Sequence, residues 1–114
     1  MRSGPPEIVA AANGKARIIM DGGVQRGTDI MKAIALGADA VALGRLQAWG
    51  LAAAGTAGVV RMLEILEDEL ICNMALIGVT SIDQLSPKYV CPAEPVTAPH
   101  EMSSWVNMLD SRIR

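Results

Sequence analysis

Apolar residues in this chain fall into two kinds of run, short continuous ones and longer ones at helical spacing, and the two kinds alternate. Residues 16–20, with Ile18, Ile19 and Met20 in sequence, predict a strand covered on both faces. Asp21-Gly22-Gly23 ends it. Thr28 is then placed to cap a helix, with Asp29 in its first turn and Ile30, Met31, Ile34 and Ala35 at helical spacing until Gly37 stops it. Residues 40–43 predict a second buried strand, and Gly44-Arg45 follows it.

The flanks are helical. Pro5 and Pro6 suit a helix N-terminus, Glu7 suits the positive end of its dipole and Asn13-Gly14 stops it, so residues 6–12 predict a short helix. After Arg45, residues 46–54 predict another, which Gly55 breaks. Residues 56–77 carry the longest periodic pattern, with Val59, Met62, Leu63, Leu66, Leu70, Met74 and Ile77 in one stripe. Arg61, Glu64, Asp68 and Glu69 lie mainly off that stripe, so this helix should cover a sheet before Gly78 closes it. Residues 81–85 start another turn, and Pro87, Pro92, Pro95 and Pro99 punctuate the tail. Met102, Trp105, Val106, Leu109 and Ile113 return at helical spacing, which divides the chain into strand-helix units over 1–85 and a tail over 86–114 ending in a short amphipathic helix.

An Asp-Gly pair after a strand also marks an antiparallel hairpin. The segment between the two strands argues for the other pairing. A parallel crossover needs a dozen or more residues, usually helical, and the stretch from Gly22 to Asp39 brings its own cap and stop. The unit is therefore strand, helix, strand, with both strand ends at one edge.

Composition narrows the class. The chain has 114 residues, is 51% hydrophobic and carries a net charge of −2, enough for one small domain and without the basic excess that nucleic acid requires. Continuous apolar stretches are a few residues long, so no membrane span is expected. Cys72 and Cys91 stand far apart with no zinc spacing, and no signal-peptide pattern opens the chain, which points to the cytoplasm.

The candidate chemistry lies at the two strand ends. Glycines at 22, 23 and 44 let backbone N–H groups approach an anion, and Arg45 adds a forked, charge-assisted contact to phosphate oxygens. Asp21 would repel a phosphate. Its better role is to accept hydrogen bonds from ligand hydroxyls. Taken singly, Asp-Gly-Gly reads as a turn and Gly-Arg as a loop with a solvated cation; at equivalent ends of neighbouring strands they read as one phosphate site.

The residues from Asp21 to Asp29, the run from Lys32 to Val41, Gly44-Arg45, the segment from Gly50 to Val59 and the helix end Asn73-Met74-Ala75-Leu76-Ile77-Gly78 together resemble the C-terminal part of the FMN-dependent α-hydroxy acid oxidases and dehydrogenases. The resemblance implies an α/β fold, a partial TIM (β/α) barrel made of the last two strand-helix units plus a long helix and the tail. It also implies FMN as cofactor. Asp21 matches the ribityl contact, Gly22 and Gly23 the phosphate-loop glycines, and Gly44-Arg45 the second phosphate contact. Gln25 stands where the family has an arginine, replacing a cation with a neutral amide. Leu46 stands where a proline often follows, which changes the stiffness of the loop more than its chemistry.

The family's histidine base and substrate-carboxylate arginine come from a His-Gly-Gly-Arg type motif, and a lysine and tyrosines from earlier still; none has a counterpart here. His100 and Tyr89 sit in no matching motif, so no residue is assigned as catalytic and the chain by itself is expected to be inactive. No metal site is expected either. A whole barrel takes about 250 residues and eight strands, whereas two parallel strands leave both edges unpaired. Something must cover them, the chain's own tail, another copy of the chain or a complementary barrel fragment, and the exposed strand edges with the apolar Met102/Trp105/Leu109 stripe point to self-association. Three functions are consistent with this pattern: the FMN-phosphate portion of a 2-hydroxy acid oxidoreductase, a non-catalytic phosphate-binding or assembly module, or part of an IMP dehydrogenase-like barrel. Arg45 and the Asn73-Met74-Ala75-Leu76 helix end favour the hydroxy acid group over the last.

Overall fold

A computed structural model of the chain describes residues 5–93. The order of elements is α1 (Pro5–Ala12), β1 (Ile19–Asp21), α2 (Gly27–Ala35), β2 (Ala40–Ala42) and α3 (Arg45–Leu76), followed by single 3-10 turns at Ile82–Gln84 and Pro87–Tyr89. The two strands pair in parallel, Ile19 with Ala40, Met20 with Val41 and Asp21 with Ala42. The crossover pairing therefore holds, not the hairpin.

Both strands are shorter than their apolar runs. β1 starts at Ile19, not at residue 16, because the register gives its earlier residues no partner on β2, which begins at Ala40. Asp39 closes the ladder there: its N–H donates to the Ile18 carbonyl at 2.8 Å, and its Oδ2 accepts the Ile18 N–H at 2.7 Å. Nor are the strands covered on both faces. Ile19 is 66% exposed, because the described residues offer no layer to pack on that side.

The core lies elsewhere, between α2 and the second half of α3. Met31 and Ala35 of α2 pack with Val79 and Leu85, and Leu70, Met74, Tyr89 and Val90 close around them. α3 thus rests chiefly on α2 and not directly on the strands. Of the predicted stripe, Met62 and Leu66 are buried, while Leu63 is 49% exposed. Val79 and Leu85 carried no periodic signal, because they follow the last turn of the helix and reach the core only when the chain folds back.

The predicted break at Gly55 is present. Ala54 (φ −153°, ψ 30°) and Gly55 (φ 58°, ψ −138°) leave helical geometry and divide α3 into segments 45–53 and 56–76. By length and composition α3 is apolar enough to cross a membrane. Its uncharged stretch, residues 46–60, contains this break, and the segment beyond carries Arg61, Glu64, Glu67, Asp68 and Glu69, so no unbroken apolar span forms. The tail helix predicted around Trp105, together with His100, lies outside the described residues.

Candidate functional site

Parallel pairing in this register brings the chain out of β1 and β2 side by side. Leaving β1, Gly22 and Gly23 take φ of 91° and 85°, a left-handed conformation that side chains resist. Two such residues in sequence end the extended run of β1 at Asp21. Leaving β2, Gly44 takes the N-cap position of α3 and Arg45 its first turn. Asp21, Gly22, Gly23, Gln25, Gly44 and Arg45 line one cavity of about 220 Å³, with Val24, Ala42 and Leu46 completing its wall. All six residues singled out in the sequence are thereby brought together.

The chemistry of this wall suits a phosphate ester carrying hydroxyls. Gly22 and Gly44 line the cavity, and a Cβ built on either meets nothing within 4 Å, so neither is crowded by the protein. The start of α3 adds backbone N–H groups and the positive end of a helix dipole. Arg45 supplies the cation and Asp21 an acceptor for hydroxyls.

Two larger hollows lack this combination. A cleft of about 420 Å³ at the opposite end of β1 is lined by Lys15, Arg17 and Asp39 together with Val9, Ala12 and Ile18, and does not lie at the C-terminal ends of the strands. An apolar groove of about 600 Å³ between the halves of α3 shares Gln25 and Leu46 with the site. Among the described residues no group of acidic, histidine or cysteine side chains could hold a metal.

The loop of the site is fastened by two carboxylates that the sequence did not place among its site residues. α2 begins at Gly27 with Arg26 as N-cap, so Thr28 does not cap it as expected. Two carboxylates bind the N–H groups at this helix start, Asp29 from the first turn of α2 itself and Glu69 from α3. Asp29 Oδ2 accepts the N–H of Gln25 and of Arg26, each at 3.1 Å. Glu69 Oε2 accepts the Gly27 N–H at 2.8 Å, and Glu69 Oε1 meets Arg26 Nη2 at 2.6 Å. Glu69, expected to be solvated off the stripe, is instead half-buried against the start of α2. Hydrogen bonding from Arg26 and then from the Gly27 N–H holds its carboxyl below the usual carboxylate range. This contribution to stability is present above the ordinary carboxylate value and is lost as pH falls through the lowered one. Asp29 reads in the sequence as a first-turn acid, but its spacing of three residues from Arg26, the capping-box spacing that would reveal this bond, is passed over when Thr28 is taken as the cap. Glu69 gave no such signal, since it lies 42 residues from Gly27.

The family model of FMN-dependent dehydrogenases matches residues 5–92. The chain belongs to the FMN-dependent dehydrogenase family. It is 51% identical over 85 residues to an L-lactate oxidase of a Nostoc species, covering 75% of this chain and 23% of that protein. Human 2-hydroxyacid oxidase 1 is 52% identical over 77 residues, covering 68% and 21%. Among solved structures, an active mutant of (S)-mandelate dehydrogenase superposes with a TM-score of 0.71 at 42% identity, over 75% of this chain and 24% of that one. The chain thus spans about a quarter of the length of the curated relatives it matches. The cofactor of the family is FMN, as the resemblance implied.

Proposed function

We propose that residues 5–92 are the flavin-phosphate end of an FMN-dependent 2-hydroxy acid oxidoreductase, with β1 and β2 as two adjacent strands of a β/α barrel. The convergence of Asp21, Gly22, Gly23, Gln25, Gly44 and Arg45 on one cavity carries this reading. In such barrels the reactive face lies at the C-terminal ends of the strands, where the last loops hold phosphate. Gly22, Gly23, Gly44 and Arg45 hold the phosphate, Gln25 donates a neutral hydrogen bond to it, and Asp21 accepts from the ribityl hydroxyls. When bound, FMN supplies the acceptor for the hydride that leaves the 2-hydroxy acid. The base and the group that binds the substrate carboxylate come from polypeptide other than this stretch.

The exposed surface supports the barrel reading. Ile19, Leu51, Ile71 and Leu76 are 66%, 55%, 60% and 78% exposed, and among the described residues nothing pairs with the outer edges of the two strands. Such faces favour burial against further strand-helix units or a second copy of the chain.

Titration of the purified chain with FMN, read by quenching of flavin fluorescence, tests the assignment. Arg45→Ala should weaken binding by about 10- to 100-fold, the value of a charge-assisted hydrogen bond. FMN uptake that ignores this substitution would make the cradle a feature of the scaffold alone. Gln25→Arg should act in the opposite direction and tighten binding about tenfold, by restoring a charged contact where the wall has a neutral amide. No gain in affinity would show that the Gln25 side chain does not face the phosphate. Turnover of a 2-hydroxy acid that appears only when polypeptide bearing the His-Gly-Gly-Arg type motif is added would place the base outside this stretch.

A further inference from the structure

We propose that Glu69 is a positioning residue for the flavin-phosphate loop, acting from α3 through Arg26 and Gly27. The proposal rests on reading the 220 Å³ cavity as the flavin-phosphate site. Residues 21–25 form the loop side of that wall. At one end they are tied to the sheet through Asp21, paired with Ala42. At the other end the loop holds its shape only as firmly as residues 25–27 are held.

Two carboxylates hold those three residues. Asp29 takes the N–H groups of Gln25 and Arg26, but Asp29 belongs to α2 and moves with it. Glu69 takes the Gly27 N–H at 2.8 Å and the Arg26 guanidinium at 2.6 Å from a separate element. It therefore fixes where α2 starts relative to α3, and α3 itself opens with Gly44 and Arg45 on the other side of the cavity. Both halves of the phosphate wall are thus referred to α3, the start of α2 to its second segment through Glu69 and the Gly44 side to its first, with the Ala54–Gly55 break between them.

The spacing at this junction leaves no slack. A Cβ on Gly27 would fall 2.7 Å from Glu69 Cβ and 2.7 Å from the Leu70 nitrogen, so the first residue of α2 touches the backbone of α3. Contact this close brings the carboxylate to the Gly27 N–H without an intervening water. It also leaves α2 no room to move closer to α3 at Gly27 when the bond is lost.

The test uses the full chain, with FMN and inorganic phosphate as probes. Glu69→Ala removes both contacts, whereas Glu69→Gln keeps an acceptor for Gly27 and only a neutral partner for Arg26. Dissociation constants for both probes should rise about tenfold in Glu69→Ala, the equivalent of one lost hydrogen bond to a charged group. Glu69→Gln should fall between Glu69→Ala and the unaltered chain. Amide hydrogen exchange should quicken at Gln25, Arg26 and Gly27 while Met62 and Leu66 stay protected, a pattern that general loosening of the fold does not produce. If Glu69→Ala does not fold, Glu69→Gln and Arg26→Ala carry the same comparison. Unchanged exchange at residues 25–27 in the folded variants overturns the proposal, as does unchanged affinity where exchange has quickened. If the unaltered chain takes up neither probe, the flavin-site reading fails, and with it the role assigned to Glu69, whatever the exchange shows.

Discussion

Gly58→Ala is expected to destabilise the fold by about 1–3 kcal/mol, the usual range for overpacking, and to abolish FMN binding with it. The break at Ala54 and Gly55 folds segment 45–53 of α3 back against the start of segment 56–76. Gly50 and Gly58 are where the two segments touch. A methyl group on Gly58 would collide with the Gly50 carbonyl oxygen, and its carbon would be 2.9 Å away. Both are backbone atoms, so no side chain can turn aside. Alanine is a better helix former than glycine by up to about 1 kcal/mol, which offsets only part of the collision. The segments must separate, and Gly44 and Arg45 at the start of the first one leave the cavity. Thermal unfolding should show a melting point lower by several degrees, at about 4–8 °C per kcal/mol for a domain of this size. A melting point equal to or above that of the unaltered chain, with FMN still bound, would show that the two segments are not packed through these glycines.

The parts legible in the sequence are those fixed by local chemistry. The helix stop at Gly37, the break at Gly55 and the close at Gly78 each depend on one residue and its immediate neighbours, and each appears where the pattern put it. The site was legible for a related reason. Strand, helix and strand in parallel force two strand ends together, so two weak motifs became one strong placement. What stayed hidden depends on distance along the chain. Glu69 reaches Gly27 across the α2–α3 junction, and Val79 and Leu85 enter the core only after the chain has reversed. The strands were overread for another reason. Apolar β-branched runs signal a buried strand, but their full length is realised only where neighbouring strands and helices lie beside them. Ile19 keeps the composition of a core position while standing exposed. That mismatch between composition and burial is itself an argument for a covering layer.

Gly44→Ala is the substitution that separates the cradle from the scaffold. Most glycines here cannot serve, since a substitution at Gly22 or Gly23 forces a left-handed backbone on alanine and one at Gly27 or Gly58 collides with a neighbouring helix. Gly44 has φ of −102° and nothing within 4 Å of an added Cβ. Alanine at this position should therefore leave the fold in place, with the melting point shifted by no more than about 2 °C, in line with substitutions away from packed features. Because Gly44 lines the cavity, the added methyl is expected to take up space at that wall. It holds phosphate oxygens beyond the roughly 3.5 Å at which an N–H at the start of α3 still makes a hydrogen bond. One or two charge-assisted hydrogen bonds are lost, each worth about 1.5–3 kcal/mol, and FMN affinity should drop by about 10- to 100-fold or more. Riboflavin has no phosphate and should bind both forms equally. Equal weakening toward riboflavin and FMN would mean that the methyl acts on the ribityl end or on the loop as a whole. Undiminished FMN affinity in a stable Gly44→Ala chain would remove the phosphate from this cavity and leave Asp21, Gly22, Gly23 and Arg45 as the ends of two strands and nothing more.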